Sequence, residues 1–211
     1  NTVLRSSLLL EKEDHFVLRT SMSQLGIPAT LKDSLMSRLD DLGDDKELAQ
    51  LAATLGREFN HDLLSAAAMQ DGEELQSSIN RLINAEIFSK CGQAPQAHYR
   101  FQHALLREAA YHSLLKRTRQ KYHQKISVLI KKQFPNISTE NPEILAHHFS
   151  KAGNYSEALN SWLAAGRYAT QRSANIEATA HLNNGLEILN KIPNTAQRDL
   201  HELALQTTLG L

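Results

Sequence analysis

The last third of the chain repeats one pattern of small and large apolar residues. A first set comprises Leu145, Ala146, Phe149, Ala158, Trp162 and Ala165. A second set stands 20 residues later, at Ala165, Gly166, Ala169, Ala178, Leu182 and Gly185. Small residues let two antiparallel helices approach closely, and large ones fill the groove between them. The pattern predicts consecutive helices at about 154–173, 175–191 and 195–210.

These spacings are those of the tetratricopeptide repeat, in which pairs of helices stack into a solenoid. Each repeat buries its apolar face only against its neighbours, and about three repeats are needed for a stable stack. Because the two overlapping sets provide fewer, we expect the solenoid to continue beyond Leu211. Residues 135–211 are therefore predicted to be the start of a tetratricopeptide-like α-solenoid.

Shorter helices and strands are indicated before Pro135. Leu31, Leu35, Leu39 and Leu42 form one helical stripe, and further helices are expected at 44–55, 60–69 and 73–86. Two strand patterns then flank a turn within residues 87–101. Short helices followed by a hairpin are the order of a winged helix, with 87–101 as the wing. Two basic helices complete a predicted winged-helix-like domain at 27–134, so the chain is expected to be mainly α.

The first residues differ from both regions. Residues 8–19 place two apolar runs on either side of a polar tip, which predicts a small hairpin. The chain begins at Asn1 without a helix cap or turn, and we interpret it as a piece of a longer protein. A domain boundary is predicted near Phe134-Pro135, and another near residue 26.

Several classes of function are disfavoured by what the sequence lacks. It has one cysteine, Cys91, and no G-x-x-x-x-G-K-[ST], G-x-S-x-G or H-E-x-x-H motif. These absences predict that the chain itself is not an enzyme and carries no cofactor or metal. There is no apolar run of about 18 residues and no signal peptide, so a cytoplasmic protein without a membrane partner is expected.

Charge is unevenly distributed although 23 basic residues balance 23 acidic ones. Residues 1–74 carry 14 acids and 7 bases, whereas residues 100–132 carry nine bases and only Glu108 as an acid. The helix that would enter a DNA groove, Glu73 to Glu86, has three acids against Arg81. Since phosphate binding needs positive charge on the docking surface, an acidic partner within the same protein, either inside the domain or in a neighbouring domain, is favoured over nucleic acid.

Histidines provide the remaining candidates. His103 follows the second wing strand and opens a helix, where it could reach a bound phosphate; spacing alone favours a partly buried histidine bonded to a backbone carbonyl. His147 and His148 are neighbours on one helix and point about 100° apart, so they are poor joint metal ligands. We predict that one of the pair packs inside and the other faces solvent.

Several sequence blocks in order resemble the region after the ATPase core of large bacterial STAND-type signalling ATPases. These AAA-like ATPases occur with adenylate or guanylate cyclase domains, with serine/threonine kinases and as LuxR-type regulators, and they carry tetratricopeptide repeats. The resemblance extends over the chain from about residue 3. The blocks that carry it lie at 27–31, 37–40, 55–59, 99–105, 109–111, 145–149, 165–166 and 172–175.

The resemblance implies a role for each part of the chain. Residues 1–26 would be the tail of the ATPase lid, 27–134 the winged-helix arm and 135–211 the start of a repeat sensor. ATP or ADP and magnesium would bind to an ATPase domain upstream of Asn1. Related switch ATPases contact the ADP phosphate with a Met-His-Asp motif; here Gln102-His103-Ala104 occupies that place, and only His103 matches by type.

The expected function is therefore regulatory and non-catalytic. Contacts to ADP would favour a closed form, and a protein or small ligand on the repeats would favour an open form. One alternative is a DNA-binding winged-helix transcriptional regulator that uses the basic 100–132 segment. Another is a tetratricopeptide scaffold that holds partner proteins without any nucleotide switch.

Overall fold

The computed structural model describes residues 9–12, 15–18, 29–70, 72–92 and 98–210. Eleven α-helices and five short strands form this part of the chain, so the fold is mainly α, as predicted. Within these ranges no helix combines the length and the apolar content that crossing a membrane requires.

The first element is the predicted hairpin. Strands β1 (Leu9–Lys12) and β2 (His15–Leu18) pair antiparallel, with Leu9 opposite Leu18 and Lys12 opposite His15. The turn between them, and the predicted boundary near residue 26, lie outside the described residues.

A winged-helix domain follows, with helices and strands in the predicted order. Its three strands, β3 (Glu58–Asn60), β4 (Phe88–Cys91) and β5 (His98–Phe101), form one antiparallel sheet in which β5 lies between the other two. The sequence pattern predicted only β4 and β5, because a three-residue strand is too short to show alternation. The elements are α1 (Ala29–Asp40), α2 (Asp45–Leu55), β3 (Glu58–Asn60), α3 (His61–Ala68), α4 (Gly72–Asn84), β4 (Phe88–Cys91) and β5 (His98–Phe101).

Aromatic side chains from the sheet fill the core of this domain. Phe59, Phe88, Tyr99 and Phe101 are buried, and the rings of Phe88 and Phe101 meet edge to face at 4.9 Å. Leucines and isoleucines from α1, α2 and α4 cover these rings. Such aromatic contacts bury large apolar areas and fix the sheet against the helices.

Six further helices complete the chain. The predicted helices at about 154–173, 175–191 and 195–210 are confirmed within two residues. The helix α7 (Pro135–Glu140) was not predicted, because Pro135 was interpreted as the end of a helix, whereas proline is favoured in the first turn of a new one. The helices are α5 (Ala104–Ser113), α6 (Lys116–Gln133), α7 (Pro135–Glu140), α8 (Pro142–Ala152), α9 (Tyr155–Gln171), α10 (Asn175–Leu189) and α11 (Ala196–Leu209).

Two glycines let the solenoid helices cross closely. A Cβ atom on Gly166 would stand 2.5 Å from the Leu182 side chain, and one on Gly185 would stand 2.8 Å from Leu205. Real Cβ atoms do not approach other heavy atoms so closely. The small residues of the repeated pattern therefore allow α9, α10 and α11 to pack closely, as the sequence pattern predicted.

A second apolar cluster joins the solenoid to the winged-helix domain. It contains Leu51 and Leu63 of α2 and α3, Ile126 and Ile130 of α6, and apolar residues of α8 to α11, including Trp162. Helix α6 thus packs with the solenoid as well as with the domain before it. The predicted division of the chain at 134–135 stays a prediction.

Candidate functional site

His103 lies at the surface, at the junction of β5 and α5. Its backbone is extended, and its carbonyl accepts hydrogen bonds from the N–H groups of Leu106 and Arg107. The side chain is exposed and makes no capping hydrogen bond. The interpretation as a partly buried histidine was therefore wrong, because β5 ends at the domain surface. His103 is free to meet a partner or ligand beside the first turn of α5.

A chain of buried hydrogen bonds connects α5, α6 and α8. The Tyr111 hydroxyl lies 2.9 Å from His123 Nε2, and His123 Nδ1 lies 2.9 Å from His148 Nδ1. Both histidines are at most 2% exposed. The three side chains therefore link the winged-helix domain to the first solenoid helix, α8. Because solvent barely reaches their polar atoms, these atoms must form hydrogen bonds with one another.

The surroundings of the Tyr111–His123–His148 hydrogen bonds favour the neutral forms of these three side chains. Burial lowers the pKa of His123 to about 3, and electrostatic repulsion by protonated His147 and by Lys151, Arg119 and Arg107 acts in the same direction. Burial also holds the pKa of His148 well below its usual range. The pKa of Tyr111 is raised by burial, against the opposing effect of Arg119 and Arg107. At neutral pH the link is thus an uncharged relay of tyrosine and two imidazoles.

The prediction for His147 and His148 is confirmed. His148 is buried, while His147 on the same helix is exposed. Within the described ranges, no group of three or more histidine, cysteine, aspartate or glutamate side chains could hold a metal ion. His148 therefore belongs to the packed junction, whereas His147 lies at its surface.

Helix α6 presents a strongly basic outer face. It contains seven bases and no acid. Lys131 pairs with Glu157 at 2.8 Å, and the Arg119 guanidinium lies 5.2 Å from the centre of the Tyr111 ring. The other five have no salt bridge to any residue that the structure describes: Lys116, Arg117, Lys121, Lys125 and Lys132. This face suits an acidic partner.

The helix in the position of a DNA-reading helix has a different character. This helix, α4, has one basic residue, Arg81, which donates two hydrogen bonds to the Asp45 carboxylate, at 2.6 and 2.8 Å. The hydrogen bond from Arg81 lowers the pKa of the Asp45 carboxyl, although burial opposes this effect. The Arg81 side chain is 56% exposed, but its charge is paired with Asp45, and Glu73 and Glu74 beside it are exposed acids. Helix α4 therefore offers no net positive surface to a phosphate backbone.

Two cavities adjoin these elements. One, of about 700 Å³, is a polar groove beside α2 and the start of α6. Polar side chains of this groove form hydrogen bonds with one another. Tyr122 donates to Glu47 at 3.0 Å, and Gln50 donates to Ser113 at 2.8 Å. The other, of about 180 Å³, lies between β3 and the helices α7 and α8, and His148 forms part of its wall.

Comparison with known proteins adds one relative. An uncharacterized protein of Rhizobium meliloti (strain 1021) is 28% identical over 177 residues. The match covers 83% of this chain and 17% of that protein, so the chain spans less than a fifth of its relative's length. No protein-family model matches the chain, and no solved structure matches it.

Sequence reasoning singled out His103 but missed the Tyr111–His123–His148 chain. A signal was present: His123 occupies the same helical stripe as Ile126 and Ile130. A polar residue on an apolar stripe implies a buried partner. The partner could not be named, because it lies 25 residues further along the chain.

Proposed function

We propose that this chain is the winged-helix arm and initial repeat sensor of a STAND-type signalling ATPase. In this proposal it is not itself an enzyme and acts in the cytoplasm. The order of the winged helix and solenoid supports the assignment, as do the exposed His103 and the long relative of which the chain matches 17%. The ATPase domain would be the arm's partner, and a protein or small ligand would act on the repeats.

One observation carries the proposal: α6 belongs to both parts of the molecule. Its Ile126 and Ile130 pack in the apolar cluster of the solenoid, and its His123 bonds to Tyr111 of the winged-helix domain. Displacement of the first solenoid helix must therefore move α6 or break buried hydrogen bonds. A structure of this kind can pass a signal from the repeats to the arm.

Nucleotide would be held mainly by the upstream domain. Of the present residues, His103 suits contact with a phosphate, because its imidazole is exposed beside the first turn of α5. Ala104 provides no carboxylate to brace it. The bases of α6 that have no salt bridge within the described part of the chain would face acidic side chains of the ATPase domain. A ligand that binds the open arrangement tenfold more tightly would shift the closed–open balance by about 1.4 kcal/mol.

The proposal is tested in the longest natural protein that contains this sequence. His103→Ala should reduce the fraction of molecules that retain ADP after purification and raise basal activity. His112→Ala is the matched control, because His112 is an exposed histidine at the other end of α5. Equal ADP retention and activity in the two variants would refute the sensing role of His103.

A DNA-binding regulator is the second candidate, favoured by the basic face of α6. It predicts measurable binding of this chain to duplex DNA, with affinity falling steeply between two salt concentrations. The regulatory proposal predicts no such binding. A scaffold without a switch is distinguished by the absence of bound nucleotide in the longer protein.

A further inference from the structure

The smaller cavity lies where the winged-helix domain meets the solenoid. We infer that it binds a small, mostly apolar molecule carrying one hydroxyl group. The binding site does not depend on the nucleotide switch proposed above; only a role for the ligand as a signal rests on that proposal.

Both parts of the molecule provide apolar walls. Leu55, Phe59 and Leu63 come from α2, β3 and α3, whereas Ile137 and Ile144 come from α7 and α8. A ligand in contact with all of them buries apolar surface on both sides of the junction. It therefore binds most tightly when the two parts keep this arrangement.

Four polar side chains line the cavity: Glu58, Asn60, His98 and His148. His148 is the only buried one of the four. Its Nδ1 is bonded to His123, and its Nε2 has no hydrogen-bond partner among the residues described. Every fully buried side-chain nitrogen or oxygen in the described ranges does have a partner. Nε2 must therefore keep some solvent access, and the cavity that the ring lines is where this 2%-exposed residue can have it.

The hydrogen-bond chain determines what His148 offers. If the Tyr111 hydroxyl donates to His123, then His123 Nδ1 donates to His148, and neutral His148 carries its proton on Nε2. If the chain runs in the opposite direction, Nε2 is an acceptor. A hydroxyl group both donates and accepts, so it satisfies either arrangement.

The charge and the size of the cavity further limit which molecules can bind. Glu58 lines the cavity and is exposed, so it repels carboxylates and phosphates, and the apolar walls disfavour any charged group. The volume is about 180 Å³. An apolar protein cavity of roughly 150 Å³ holds benzene, so a single ring with a hydroxyl group fits.

The test titrates the 211-residue chain with 4-fluorophenol and follows the fluorine resonance and the His148 ring nitrogens by NMR. Saturable binding with a Kd below about 10 mM is expected, together with a shift of the His148 Nε2 resonance. Fluorobenzene should bind several-fold more weakly, since it cannot hydrogen-bond to Nε2. Equal affinity for the two compounds would overturn the hydroxyl assignment.

Two tryptophan substitutions locate the site. Ile144→Trp places bulk in the cavity from a position that is 38% exposed, and it should weaken 4-fluorophenol binding at least about tenfold. Ile176→Trp is the control, because Ile176 is an 89%-exposed isoleucine that does not line the cavity. Circular dichroism verifies that both variants fold. Absence of saturable binding to the unmodified chain, or unchanged binding to Ile144→Trp, would refute the site.

Discussion

The helix contacts inside the solenoid and the junction between solenoid and winged-helix domain are built differently. Inside the solenoid, Gly166 and Gly185 allow apolar helices to cross at short range. At the junction, Tyr111, His123 and His148 are joined by buried hydrogen bonds. The solenoid interior should therefore be sensitive to volume, and the junction sensitive to pH and to loss of a polar partner.

The largest effect is expected from the centre of the junction. His123→Ala leaves the Tyr111 hydroxyl and His148 Nδ1 without their partner and opens a cavity. We expect the free energy of unfolding to fall by about 2–5 kcal/mol, measured by denaturant titration. His112→Ala, at an exposed position, should change it by less than about 0.5 kcal/mol. Similar values for the two variants would show that the buried bonds add little.

Acid should weaken the junction next. The unfolded pKa of histidine is near 6.5 and that of folded His123 is about 3, so between these values the unfolded chain binds more protons. Stability is therefore complete above about pH 6.5 and falls by up to about 1.4 kcal/mol per pH unit below it. Arg107, Arg119 and Lys151 face the pair and stay positive throughout this range, whereas burial lowers the pKa of His147 as well, so His147 adds to the loss of stability in acid.

This pH effect can be assigned to the junction. Denaturant titrations at pH 7 and pH 5 should show a larger difference for the natural chain than for His123→Phe, which retains only the contributions of His148 and His147. The Asp45 carboxyl, whose pKa is lowered, loses its contribution only below its usual value of 3.8. Equal stability of the natural chain at both pH values would contradict a neutral buried pair.

The solenoid interior is probed by adding one methyl group. Gly166→Ala would place a Cβ 2.5 Å from Leu182, and the resulting strain should cost about 1–3 kcal/mol, partly offset by alanine's roughly 1 kcal/mol advantage in helices. Thermal unfolding at pH 7 and pH 5 should show the same loss. Asn183→Ala, exposed on α10, serves as the control and should be nearly neutral. A stabilised Gly166→Ala variant would show that Leu182 moves aside easily.

The smallest effect concerns the outer face of α6. Lys121→Glu creates pairs with Arg117 and Lys125, one helical turn away on either side, and should raise stability by a few tenths of a kcal/mol. A small rise in melting temperature is expected, with Lys121→Gln as the uncharged control. A fall would mean that Lys121 already has a stabilising contact.

The sequence predicted those features that depend on local pattern. The last three solenoid helices followed from small and large residues at fixed spacing, and the wing followed from two strand patterns around a turn. Strand β3 was not predicted, because it forms only by pairing with β5, about 40 residues later. The Tyr111–His123–His148 hydrogen bonds were not predicted for the same reason. The three side chains lie on three different helices, and the periodicity of one helix does not reveal which residue of another helix it contacts.

The most direct test of the central claim uses two natural probes. Trp162, the single tryptophan, lies in the solenoid, and Cys91, the single cysteine, lies on β4 of the winged-helix domain. Equilibrium unfolding is followed by Trp162 fluorescence and by a dye attached to Cys91. If α6 joins both parts into one unit, the two midpoints coincide. Separate midpoints, with one part unfolding while the other remains folded, would contradict the claim that the repeats and the arm move together.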